Sequence, residues 1–370
     1  MWKKTERIPS GCAISGFINR RGRLQDGEAI IRSIAVMHDR SNGLGGGFAV
    51  YGCYPAYCEL YAFHLMYESE AAREQVEEFL RRGFVLHGAE PIPTRPVAAI
   101  TEQPLLWRYF LEVKPESLIA GNTYLTEEDF VVAAVMEINA RFDGAYVASS
   151  GKNMGVFKGV GYPEDIGRFY RLEEYQGYLW TAHGRFPTNT PGWWGGAHPF
   201  ALLDWSVVHN GELSSYGINK RYLESHGYLC RLGTDTEVIA YLVDLLQRRH
   251  GLPLAAACLA LTAPFWSEVD HLPPSEAEAV RAIRLVYGSA LLNGPFSLIV
   301  ANRSGMIGLN DRIKLRPMVV AERGETVYMA SEEAAVREIS PTVDRLWYAR
   351  GGEPVVAALE PERQPEVAVA

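Results

Sequence analysis

The stretch Ser10-Gly11-Cys12-Ala13-Ile14-Ser15-Gly16-Phe17-Ile18-Asn19 sets a thiol directly ahead of a short apolar run. Ile14, Phe17 and Ile18 suggest a short strand, and Arg21-Gly22 suggests the turn that follows it. A cysteine beside small residues can sit exposed where such a strand starts. If the Gly11–Cys12 bond is cut, Cys12 gains a free α-amine with an unperturbed pKa of about 7.7–8. That amine takes the thiol proton near neutral pH and later returns it to a leaving group. One residue then supplies both nucleophile and base. Taken alone, the same cysteine also reads as a small core residue.

Outward from this strand, Ile30, Ile31, Ile34 and Ala35 stand at helical spacing within residues 27–38. Gly43, Gly45, Gly46 and Gly47 make a turn into a strand, Phe48–Tyr51. Phe48 stands where a dinucleotide-binding loop needs its third glycine, and a strand follows instead of a helix, so turn geometry or a flap over a substrate fits better. Ser69 caps a helix with an apolar face of Ala72, Val76, Phe79 and Leu80, ended by Gly83. Thr126 to Phe142 reads as another helix. Strands at Ala145–Ser149 and Gly155–Lys158 flank Ser150-Gly151-Lys152-Asn153, which predicts a hairpin. Further strands are expected at Tyr178–His183, Trp205–His209, Phe296–Asn302, Met306–Leu309, Met318–Ala321 and Val327–Ala330. Thr234-Asp235-Thr236-Glu237 fits a capping box ahead of an apolar helix. Sheets with helices segregated between them imply an α+β sandwich, not regular βαβ alternation.

Composition narrows the function class. The 370 residues are 48% hydrophobic and 22% charged, the profile of a soluble globular protein, with a formal net charge of -8. An acidic chain without basic runs argues against nucleic-acid and membrane-surface binding. The nine histidines form no HxH or HExxH pattern, so no metal site is expected. Five cysteines, an odd and low count, argue against a disulfide framework, and Cys53 and Cys58 read as ordinary thiols. The charged start, Met1 to Arg7, is no secretory signal. The longest uncharged run, Leu252–Trp266, contains Pro253 and Pro264 and falls short of the roughly 18–20 residues of a membrane span. These features imply a cytoplasmic protein.

Three further segments carry chemistry. In Thr181-Ala182-His183-Gly184-Arg185-Phe186-Pro187-Thr188-Asn189-Thr190, an arginine after a strand suits a bidentate grip on a carboxylate, though it also reads as a solvent-facing side chain. In Val207-Val208-His209-Asn210-Gly211-Glu212-Leu213, Asn-Gly would ordinarily mark a hairpin turn. The functional reading aims the Asn210 NH2 and the Gly211 backbone N–H at one oxyanion, where one donor is typically worth about 10²–10³ in rate. In Gly233-Thr234-Asp235-Thr236-Glu237, a helix cap is one reading and an ammonium-binding carboxylate at Asp235 the other; the two coexist.

With these pieces in this order, the chain resembles the class II glutamine amidotransferases of the N-terminal-nucleophile hydrolase type. Within them it is similar to the amidotransferase portion of glutamate synthase. Ala197-His198-Pro199-Phe200, Asp39-Arg40, Asn310-Asp311-Arg312, Leu315-Arg316-Pro317 and Ala330-Ser331-Glu332-Glu333 extend the likeness, which runs from Cys12 to about Arg337. The resemblance implies a four-layer αββα sandwich. It also implies that Cys12 is the nucleophile, Asn210 and Gly211 form the oxyanion hole, Arg185 holds the glutamine α-carboxylate, and Asp235 holds its α-ammonium. The expected reaction is glutamine hydrolysis to glutamate and ammonia through a Cys12 thioester. Ammonia would pass to a partner synthase, best matched by a glutamate synthase split among subunits. No cofactor is expected on this chain; flavin and iron–sulfur chemistry would lie on partner subunits.

Ala13 departs from the glycine often found after the nucleophile, and Gly184 from the serine of glutamate synthases. Cys12 does not follow the initiator methionine, so residues 1–11 are expected to be a leader lost by self-cleavage. The amidotransferase domain is expected to span 12–350, with a family-atypical insertion around 54–178 that contacts a partner, and a flexible tail over 351–370. Asp311, Arg312 and Arg316 are expected in a buried charge network, with Glu332 and Glu333 capping or bracing a helix. Two alternatives stay open: the same glutaminase serving another acceptor, such as an N-methylglutamate-forming system, or a non-catalytic glutamine-binding module.

Overall fold

A computed structural model of the chain describes residues 11–119, 126–187 and 192–360. The expected leader up to residue 10, Thr188, Asn189 and Thr190, and the tail beyond 360 lie outside the described residues.

Ala13–Asn19 forms a strand near the middle of a seven-stranded antiparallel sheet. In spatial order the sheet runs Arg345–Tyr348, Val319–Arg323, Thr326–Ala330, Ala13–Asn19, Leu179–Gly184, Gly46–Tyr51 and Met154–Gly159. A second antiparallel sheet of five strands runs Phe200–Leu202, Trp205–Gly211, Phe296–Asn302, Gly305–Asn310 and Val355–Ala358. Successive side chains of a strand face opposite ways. In the second sheet this sends Val208, Ile299 and Ala301 toward the first sheet's core, with Phe17, Trp180 and Met329, while Val207, Leu298 and Val300 join the core under the helices. Burial on both faces explains why these strands are nearly continuous apolar runs.

Helices cover the outer faces. Glu28–Ala35 buries Ile30, Ile31 and Ile34 and packs beside Pro163–Phe169 and Glu333–Ile339 against the first sheet. Asp235–Asp244 lies on Trp205–Gly211 and Phe200–Leu202 of the second, flanked by Tyr216–Ser225. The architecture is the expected α+β four-layer sandwich. No helix among the described residues is long and apolar enough to cross a membrane.

Some expectations differ from the arrangement found. The predicted hairpin over 145–158 does not form: Ala145–Ser149 pairs with Tyr61–Tyr67 in a separate four-stranded sheet, whereas Met154–Gly159 pairs with Gly46–Tyr51. Asn153 does take a positive φ of 49°, but the linker is drawn across sheets, with Ser150 accepting Leu203 N–H and Asp204 accepting Lys152 N–H. Within the stretch expected as a tail from residue 351, Val355–Ala358 is a strand that pairs with Gly305–Gly308 at the edge of the second sheet. Asp311 forms no ion pair with its arginine neighbours; it accepts the backbone N–H groups of Phe296, Ile313 and Leu315 and so fixes its own loop. The stretch around 54–178 does not fold as one body. Tyr61–Tyr67, Phe84–Pro91, Leu105–Val113 and Ala145–Ser149 build the four-stranded sheet, with helices Glu70–Gly83 and Glu127–Arg141, while Met154–Gly159 and Pro163–Phe169 belong to the main sandwich.

Candidate active site

Strand register brings the site together. Ala13 lies opposite Gly184, so Cys12 and Arg185 emerge side by side from adjacent strands. Phe186 donates its backbone N–H to Cys12 Sγ at 3.4 Å. The Cys12 carbonyl accepts from Arg40 Nε at 3.3 Å and Nη2 at 3.2 Å, and Arg40 Nη1 pairs with Glu332 at 2.9 Å. Glu332 stands at the N-cap of Glu333–Ile339 but makes no side-chain cap bond, its carboxylate being spent on Arg40.

Arg185 is buried, and its backbone is held by the glycine-rich loop: Arg185 N–H donates to Gly45 O at 2.8 Å, and Arg185 O accepts from Ser41 Oγ. Gly45 has φ +154°, and a Cβ there would stand 3.1 Å from Arg185 Cδ. The loop is therefore a cradle for Arg185, which needs a glycine at 45 both for its backbone and for room.

Asn210 and Gly211 end the strand Trp205–Gly211, paired with Ser297 and Phe296, so no hairpin turn forms there. Gly211 has φ +152°, and a Cβ would overlap the Pro295 carbonyl oxygen. Asn210 is fully buried; its Nδ2 contacts Ser331 Oγ at 3.3 Å. Asp235 opens its helix behind the Thr234 cap, whose Oγ1 accepts Thr236 N–H at 3.2 Å. Its Oδ2 accepts Leu213 N–H at 3.0 Å and its Oδ1 lies 3.4 Å from His209 Nδ1.

Cys12, Arg185, Phe186, Gly211, Glu212, Leu213, Tyr216 and Asp235 line one cavity of about 230 Å³. That is below the about 300–1,000 Å³ of sites for drug-sized ligands. Four of the five residues singled out from the sequence thus share one cavity. Asn210 is not among its lining residues; its Oδ1 lies 3.9 Å from where a Cβ on Gly11 would be. A larger cavity of about 1300 Å³, lined by Phe79, Phe84, Phe130 and Arg248, shares no lining residue with it.

The chain belongs to the class-II glutamine amidotransferases. The family model, glutamine amidotransferases class-II, matches residues 65–345, which takes in Arg185, Asn210, Gly211 and Asp235 and leaves Cys12 outside. An uncharacterized protein of Archaeoglobus fulgidus is 49% identical over 96% of this chain and 94% of its own length. A putative glutamine amidotransferase of Methanothermobacter thermautotrophicus is 24% identical over 90% of this chain and 94% of its own. Among solved structures, the glutamine phosphoribosylpyrophosphate amidotransferase of B. subtilis aligns over 94% of this chain and 47% of that one, at 14% identity and a TM-score of 0.47.

Electrostatics in this amidotransferase follow from burial. Burial pushes the Cys12 thiol up; the Phe186 N–H and Arg185 offset this in part, and Asp235 and Glu212 add to it. Burial also pushes the Asp235 carboxyl up, but His209, the Leu213 N–H and the Thr236 hydroxyl outweigh it and hold Asp235 below the usual carboxylate range. The site therefore keeps a cation and an anion a short way from a protonated thiol. Behind them His183 is buried, its Nε2 donating to His209 O at 2.9 Å and lying 3.1 Å from His198 Nδ1, and burial lowers its pKa to about 3. Among the described residues no group of three or more His, Cys, Asp or Glu is arranged to hold a metal ion, and all five cysteines are free thiols.

Sequence reasoning gave Arg40, Phe186, Tyr216 and Ser331 no role. Arg40 and Ser331 lay inside quoted phrases, Asp39-Arg40 and Ala330-Ser331, but their tasks depend on partners that only the fold supplies: Cys12 and Glu332 for Arg40, Ile14 and Asn210 for Ser331. Tyr216 carried no signal at all.

Proposed function

We propose that this amidotransferase hydrolyses glutamine with Cys12 as nucleophile. Arg185 binds the substrate α-carboxylate and Asp235 its α-ammonium, while Asn210 and Gly211 stabilise the oxyanion. The observation that carries this reading is the convergence of Cys12, Arg185 and Asp235 on one small cavity. A zwitterionic amino acid needs one fixed cation and one fixed anion, and its side-chain amide then reaches the thiol. Cleavage of Gly11–Cys12 frees the α-amine, which takes the thiol proton. Sulfur attacks Cδ, a C–S bond forms and the carbonyl oxygen becomes an oxyanion. On collapse the C–N bond breaks and the amine's proton goes to the departing ammonia. Water, deprotonated by the same amine, then displaces the sulfur and releases glutamate.

The ammonia passes to a synthase on another chain. Glutamate synthase split among subunits is the acceptor that the phrases from His183 to Glu237 favour, with flavin and iron–sulfur chemistry on the other subunits. The test measures glutamate release from glutamine by wild type and Cys12→Ala, with intact mass on the same samples. Wild type is expected to start at Cys12, and Cys12→Ala to lose about a thousandfold or more in rate while still binding glutamine. Turnover by protein that retains Met1, or by Cys12→Ala, refutes the mechanism. A glutaminase rate unmoved by an added synthase subunit refutes the acceptor.

A further inference from the structure

Ser331 follows the strand Thr326–Ala330 and grips the first strand at one residue. Its backbone N–H donates to Ile14 O at 2.9 Å, and its Oγ accepts Ile14 N–H at 3.2 Å. Ser331 and Asn210 are both buried, at 2% and 0% exposure, so bulk solvent does not reach either side chain. Their side chains meet at 3.3 Å between Asn210 Nδ2 and Ser331 Oγ.

In that arrangement the hydrogen bonds do not close. A hydroxyl carries one donor and two acceptor sites. Ser331 Oγ would accept twice, from Ile14 N–H and from Asn210 Nδ2, and its own proton would go unused. Asn210 Oδ1 meanwhile is buried without a hydrogen-bond partner among the described residues. That orphaned oxygen is also the end of the amide nearest Gly11, the residue joined to Cys12. A carboxamide has nearly the same shape when its O and N exchange places, so hydrogen bonding alone selects its orientation.

We infer that Ser331 is a positioning residue for the oxyanion hole: its hydroxyl donates to Asn210 Oδ1 and so turns the Asn210 NH2 toward Cys12. In this orientation Ile14 N–H supplies the serine oxygen, the serine proton supplies Asn210 Oδ1, and the NH2 faces the place where the substrate oxyanion forms. The serine oxygen, its proton and Asn210 Oδ1 then all have partners, and the NH2 has a donor left for the oxyanion. The backbone atoms that fix Ser331 Oγ belong to Ala13–Asn19, the strand that follows Cys12, so the amide is oriented from the strand that carries the thiol. Its effect is confined to the oxyanion. Arg185 and Asp235, which grip the ends of the amino acid, do not hydrogen-bond Ser331.

This assignment rests on the proposed roles of Cys12 and Asn210, and the experiment separates the two. Wild type, Ser331→Ala and Ser331→Thr are compared in glutamine turnover. They are also compared in binding glutamate and the γ-aldehyde of glutamate, whose adduct with a thiol places an oxygen in the hole. Ser331→Ala is expected to lower kcat about tenfold to a hundredfold, short of the about 10²–10³ for loss of the donor itself, with KM little changed. It is expected to weaken the aldehyde by the same factor and to leave glutamate binding unaltered. Ser331→Thr, which keeps the hydroxyl, is expected to restore both. Ser331→Cys, a weak donor of similar size, serves in the same assays if the alanine variant does not fold. A purely structural serine would move glutamate and aldehyde together, and that outcome overturns the assignment, as does an unchanged aldehyde affinity. A wild type that neither hydrolyses glutamine nor prefers the aldehyde to glutamate overturns the underlying reading as well.

Discussion

Cys12 is not activated by its surroundings. Burial raises its thiol, Asp235 and Glu212 raise it further, and the opposing pull of the Phe186 N–H and Arg185 does not restore it. These surroundings favour the thiol over the thiolate, so a base is called for to make the nucleophile. With the α-amine of Cys12 as that base, kcat/KM for glutamine should climb with pH through the amine's pKa of about 7.7–8. A preformed thiolate would instead give a rate that stays flat toward acid. A pH profile level down to about pH 6 would sink the single-residue mechanism. Substrate grip should not confuse this measurement, because Asp235 is held below the usual carboxylate range and stays charged throughout. At this level the sequence was informative. Cys12, Arg185, Gly211 and Asp235 were named from local chemistry and do share a cavity. Ser331 and Arg40 were not, since a serine at 331 acquires meaning only through hydrogen bonds to Ile14 and Asn210.

Strands and helices were legible where their signal is local. The helix Asp235–Asp244 begins where Thr234 and Asp235 say it should, and Phe296–Asn302 has the bounds its apolar run predicts. Pairing partners were not legible. The period of a strand identifies its faces but not its neighbour, so Ala145–Ser149 and Met154–Gly159 look like a hairpin and join different sheets. Val355–Ala358 likewise has a tail's composition and becomes a strand because the edge Gly305–Gly308 is there to receive it. Caps are the point at which element and site meet. Thr234 Oγ1 accepts Thr236 N–H and so sets the first turn that carries Asp235. Thr234→Ala should cost about 1 kcal/mol of stability, the usual worth of such a cap, read as a lower denaturation midpoint. It should also raise the glutamine KM while kcat changes less, because Asp235 is moved and Cys12 is not. An unaltered midpoint would mean that the cap is idle.

The site exists only because two sheets are stacked: Cys12 and Arg185 come from one, Asn210 and Gly211 from the other, and Asp235 from the helix laid on it. The same stacking buries a cation. Lys158 lies on the edge strand Met154–Gly159 of the first sheet, 2% exposed, and its Nζ donates to Gly195 O at 3.0 Å. It also sits 4.1 Å from the ring centroid of Phe200, on the edge strand of the second sheet. The ring and Glu237 favour the charged form, but burial outweighs them and lowers the Lys158 pKa to about 7. An unfolded chain would hold that proton up to about pH 10.4. Between these values the unfolded state binds more protons than the folded one, so stability rises with pH across the interval and is lost as pH falls through about 7. Lys158→Met keeps the stem that spans the sheets and removes the titration. Denaturation midpoints measured at about pH 6, 7.5 and 9 should therefore converge. The variant should hold its largest advantage over wild type at the acid end, and that advantage should shrink toward the alkaline end. Parallel curves for the two proteins would mean that the amine keeps its proton inside the fold, and that the carbonyl of Gly195 and the face of Phe200 suffice to hold a full charge between the sheets.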